Sequence, residues 1–148
     1  MLQLFNTPVD FIAGLAQQDF WLSVASVTSP VHTEIDASVD GVTASIPVTV
    51  EPGLASITVP ASIVGGASST GTVNLAGPVD IATTVDLSCV CLSHPGVLTV
   101  PPSVTIPAGQ SSATFPITTV QVTSESSVNL GALLGDSQLL SGIIDVTP

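Results

Sequence analysis

The chain has 148 residues, 45 % hydrophobic and 7 % charged, enough for one packed domain and too apolar for a disordered segment. Eleven Asp and Glu stand against no Lys or Arg, a formal charge of −11, which excludes Lys or Arg salt bridges within the chain. The same imbalance argues against nucleic acid as a partner, because holding phosphates takes cations.

In chain order, Thr7 reads as a helix N-cap, with Pro8 in the first turn and Asp10 three residues past the cap. Phe11, Ile12 and Leu15 would share one face of that helix, and Gly14 weakens it. Residues 20–27, FWLSVASV, read as a strand or extended arm. Asp40-Gly41 then lies between two alternating runs, a strong hairpin signal. On the first arm Ile35, Ala37 and Val39 face one way, and Glu34, Asp36 and Ser38 the other.

The chain divides near Pro52-Gly53, giving residues 1–53 as an N-terminal arm and hairpin and residues 54–148 as the main domain. In the latter, strands are expected over 56–59, 72–76, 82–89, 97–100, 103–106, 112–118, 126–133 and 139–147. Gly65-Gly66, Gly77-Pro78, Pro95-Gly96 and Gly135-Asp136 are turn signals between them. Period two places Val73, Leu75, Val85, Leu87, Phe115, Ile117, Val128 and Leu130 inside, and Asp86, Ser88, Thr114 and Asn129 outside. Pro116 would interrupt a central ladder, so its strand is an edge or pairs on one side there. Many short strands at this spacing indicate an all-β sandwich.

Residues 57–79, ITVPASIVGGASSTGTVNLAGPV, and 104–130, with VTIPAGQ, SATFPITT and a closing SVNL, resemble a bacterial immunoglobulin-like module found in repeats on large surface proteins. The resemblance covers residues 54–148. It implies an all-β immunoglobulin-like β-sandwich, here carrying an N-terminal arm and hairpin, and it implies no particular ligand.

Residue chemistry points away from catalysis. Ser93, His94 and Asp86 have the residue types of a hydrolase triad, but adjacency in sequence is not triad geometry, and a small serine hydrolase is the least favoured reading. Cys89, Cys91 and His94 form C-x-C-x-x-H, but zinc needs a fourth ligand and His32 is the other histidine, so neither metal nor cofactor is expected. In an extended strand residues two apart have Cα atoms roughly 6.5–7 Å apart, at the limit for a disulfide. Two free thiols are therefore expected, which fits a reducing compartment. Glu34, Asp36 and Asp40 lack an EF-hand spacing and read as a solvated acidic face for a basic protein surface. Phe5, Phe11, Phe20 and Trp21 gather before the sandwich and read as an anchor patch.

Residues 1–20 lack the cationic start of a secretory leader, and Asp10 interrupts their apolar run. No stretch reaches the roughly 18 uninterrupted apolar residues of a membrane helix. These features give the expectation of a protein made and kept in the cytoplasm. In size, layout and compartment the whole chain resembles a capsid decoration (cement) protein of a tailed bacteriophage. That resemblance implies a non-enzymatic virion protein, assembled in the host cytoplasm, that binds the major capsid protein as a homo-oligomer, a trimer by preference. The alternative is an immunoglobulin-like module of a bacterial cell-surface or adhesin protein.

Overall fold

In the computed structural model the described residues are 2–5, 21–90 and 96–148, and all their regular structure is strand. The expected helix around Thr7 to Leu15 lies outside them. A first ladder joins β1 (Leu2–Phe5) to β2 (Trp21–Val24), and a second joins β3 (Val31–Val39) to β4 (Val42–Val50).

The remaining strands form two sheets. One runs β5 (Leu54–Thr58), β7 (Ser68–Leu75), β11 (Ser112–Thr119), β9 (Leu98–Thr99). The other runs β10 (Ser103–Ile106), β8 (Thr83–Val90), β12 (Ser126–Leu134), β14 (Ile144–Thr147), β6 (Ser62–Val64), with β13 (Ser137–Leu140) also against β12. Neighbours are antiparallel except β14 and β6, which are parallel.

Alternation along these strands builds the core. Val73 and Leu75 from β7 and Phe115 and Ile117 from β11 meet Val85 and Leu87 from β8 and Val128 and Leu130 from β12. All are buried, as the period of two requires, while Asp86, Ser88 and Thr114 are exposed. Ile106, Ile144 and Val146 complete the same cluster. Phe115 stands opposite Gly71 in the register, and a Cβ at Gly71 would lie 2.7 Å from the ring Cε2. The absent side chain is the space that the phenyl ring occupies.

Pro116 pairs with Thr70 of β7 on one side, and β9 reaches only Thr118 and Thr119 on the other. The proline thus sits where one flank carries no ladder.

Two departures from the expected strands have local causes. The run expected over 139–147 is split into β13 and β14 at Ser141. The Ser141 N–H donates to the Leu130 carbonyl at 2.8 Å, and the Leu130 N–H donates to Ser141 Oγ at 2.8 Å. Asn129 Nδ2 donates to the Ser141 carbonyl at 3.0 Å, which draws Asn129 half under cover instead of out to water. Side chains thereby satisfy β12 where the partner strand breaks. The second departure is β6, three residues with one buried side chain, Ile63, too short to show a period.

Candidate interaction surface

The β3–β4 hairpin is shaped first by its turn. Asp40 has φ 50° and Gly41 φ 78°, both in the left-handed region that a two-residue type I′ turn requires. Asp and Gly tolerate it, and its twist matches that of the flanking strands. Val39 faces Val42 across the turn, and the register continues without a slip to Val31 opposite Val50.

A two-residue turn makes Val39 and Val42 the last hydrogen-bonded pair, so pairs alternate outward from there. His32–Thr49, Glu34–Pro47, Asp36–Ser45 and Ser38–Thr43 then fall at the non-hydrogen-bonded positions, where facing side chains come closest. Ser45 Oγ donates to Asp36 Oδ1 at 2.5 Å, the Ser38 and Thr43 hydroxyls lie 2.8 Å apart, and His32 Nδ1 lies 3.0 Å from Thr49 Oγ1. Pro47 also fits: it occupies a position whose missing N–H costs the ladder nothing.

The two faces differ in kind. One carries this polar row with Glu34. The other pairs Thr33 with Val48, Ile35 with Ile46, Ala37 with Ala44 and Val39 with Val42. Half-burial is confined to its root, at Thr33, Ile35, Val48 and Val50. Towards the turn Ile46 is 64 %, Val39 62 % and Val42 74 % exposed, so the apolar face is not covered by any described residue there.

The root is held against the sandwich. His32 Nε2 lies 2.8 Å from Asp80 Oδ2, and the Asp80 N–H donates to Glu51 Oε2 at 3.3 Å. Both side chains are at least half exposed, so the contact fixes geometry more than it adds stability. Gly77 lies against the Thr28 carbonyl so closely that a side chain there would strike the backbone. Next to Gly77, Val79 is buried and bonded through both its backbone groups to Gly109 and Gln110. The arm therefore leaves from a firm base.

Of the sequence-predicted residues, Glu34 and Asp36 share the polar face and Asp40 occupies the turn. No group of three or more His, Cys, Asp or Glu placed to hold a metal occurs among the described residues. Phe5 and Trp21 are directly opposite in the β1–β2 ladder. Phe11 and Phe20 lie outside the described residues, as do Cys91, Ser93 and His94. Asp86 is an exposed position of β8. The described residues assemble no catalytic cluster and no cofactor-binding motif.

Cys89 corrects one expectation. It is disulfide-bonded, and no described cysteine is free. The expectation of two free thiols placed both cysteines in one extended strand; Cys89 lies in β8, and Cys91 lies outside the described residues.

No protein-family model matches the chain, and no curated protein matches it by sequence. Among solved structures it is similar to the E. coli chaperone DraB, at 16 % identity and a TM-score of 0.45, over 66 % of this chain and 55 % of that one. The chain thus spans about half the length of that chaperone. The expected capsid decoration protein, with its virion location, is corrected accordingly. The Cys89 disulfide also removes the free thiols that had supported assembly in a reducing cytoplasm.

Proposed function

We propose that this chain is a non-enzymatic, immunoglobulin-like β-sandwich module of a bacterial cell-surface or adhesin protein, which binds a cationic partner through its acidic hairpin. In this reading residues 54–148 are the sandwich and residues 1–53 the arm that carries the contacts. The observation that carries it is the disulfide at Cys89 in a sandwich strand, since such bonds persist in oxidising, extracytoplasmic surroundings. The resemblance of its alternating Val, Thr, Ser and Gly strands to bacterial surface modules supports it as well.

Charge supports the choice of partner. With no Lys or Arg in the chain, Glu34, Asp36 and Asp40 have no strong cation of their own, and a Lys- or Arg-rich protein surface supplies one. Phe5, Phe11, Phe20 and Trp21 form a second, aromatic contact in this reading, towards a neighbouring subunit.

The thiol state in the source cells tests the proposal. Cells are quenched with an alkylating reagent before lysis, and the protein is recovered by fractionation. The expected result is recovery with the cell envelope and no alkylation of Cys89. Recovery from the cytosol with Cys89 alkylated would overturn the reading.

A further inference from the structure

The polar face of the hairpin has a free strand edge running along it. In a ladder closed by the Asp40-Gly41 turn, the residues at non-hydrogen-bonded positions direct their backbone N–H and C=O away from the partner strand. On β3 these are His32, Glu34, Asp36 and Ser38, and on β4 they are Thr43, Ser45, Pro47 and Thr49. The two outer edges are therefore unequal. That of β4 is interrupted at Pro47, which has no N–H, whereas that of β3 keeps every donor and acceptor. Among the described residues no further strand pairs with either.

Unprotected edges of this kind are templates for another strand, and proteins blunt them with charged side chains, above all Lys, with Pro or with a bulge; carboxylates repel an acidic strand but not a cationic one. β3 has no proline, lysine or bulge along its nine residues. What it has is Glu34 and Asp36 beside the edge on one face, with Ile35 and Ala37 on the other. Charge selects the occupant. A second copy of this chain lying antiparallel along β3 would bring carboxylates against carboxylates, and it has no Lys or Arg to relieve them.

We propose that the outer edge of β3 docks an extended segment of another protein in which Lys or Arg alternates with aliphatic residues. The segment adds a third strand, taking its backbone hydrogen bonds from His32, Glu34, Asp36 and Ser38. Its cations lie over Glu34 and Asp36, and its aliphatic side chains extend the apolar face of half-buried Ile35 and exposed Ala37 and Ile46. Backbone pairing supplies affinity and the alternating side chains supply selectivity. The inference rests on the acidic-hairpin reading above and deepens it by naming the edge and the conformation of the ligand.

The test uses the full chain and a synthetic peptide of alternating Lys and Val, with a peptide of the same composition in two blocks as the comparison. Binding is read by titration and by residue-resolved amide exchange. The alternating peptide is expected to bind about tenfold more tightly than the block peptide, a difference of about 1.4 kcal/mol. It should slow exchange at His32, Glu34, Asp36 and Ser38 and leave Thr43, Ser45 and Thr49 unchanged. Glu34→Gln with Asp36→Asn should weaken binding about tenfold. Ser38→Pro, which removes one outward N–H and no charge, should weaken it too. Should that variant disturb the hairpin, the exchange pattern of the unaltered chain still decides. Equal binding of both peptides, dependent on the carboxylates and without protection on β3, would overturn the edge proposal while leaving the acidic contact standing. Binding that survives the loss of both carboxylates would overturn both.

Discussion

Phe115→Ala is expected to cost about 3–5 kcal/mol, the range for truncating a buried aromatic side chain. Total stability for a domain is about 5–15 kcal/mol, so this one change removes a large share. The cost should lie high in the range because of what faces the ring. Gly71 is directly opposite on β7 and has no side chain to move into the space. Denaturant unfolding followed at equilibrium gives the loss, with an unchanged slope if the sandwich stays two-state. A paired experiment makes the account specific. Gly71→Ala alone should destabilise, since its Cβ would meet the ring, and it should cost less once Phe115 is already alanine. Strict additivity of the two changes would show that ring and glycine do not share one space.

The second large effect separates the two faces of the sheets. Leu87→Ala should cost about 2–5 kcal/mol, as for emptying a core leucine site. Thr114→Ala should stay within about 0.5 kcal/mol, as for an exposed position. Leu87 points into the cluster from β8, and Thr114 points outward from β11. A slip of one residue in either strand would exchange inside and outside along its whole length. Equal losses at the two positions would therefore contradict the register.

Much of the sandwich was legible in the sequence because burial on one face writes a period of two. Val73 and Leu75, or Phe115 and Ile117, need no neighbour in the chain to announce which way they point. Asp40-Gly41 was legible for a different reason: few residue pairs tolerate two successive positive φ values, and this is one of them. What failed depends on partners far along the chain. β6 exists because β14, some eighty residues later, offers a parallel neighbour to Ile63. The break at Ser141 depends on its exchange of hydrogen bonds with Leu130 and Asn129.

The acidic residues of the interaction surface were visible, but their setting was not. Glu34 and Asp36 were read as a charged face, whereas the free edge beside them follows from pairing and from Pro47 across the ladder. The cytoplasmic expectation came from the lack of a cationic leader and from two expected free thiols, and Cys89 is not a free thiol. A sandwich serves many functions, so nothing in the fold itself could correct that step.

The most direct measurement of the central claim is antibody labelling of intact cells of the source organism, with lysed cells as the reference. A surface module should be labelled on intact cells to nearly the level seen after lysis, and protease added outside should remove that signal. Labelling that appears only after lysis, with protease outside having no effect, would contradict the account.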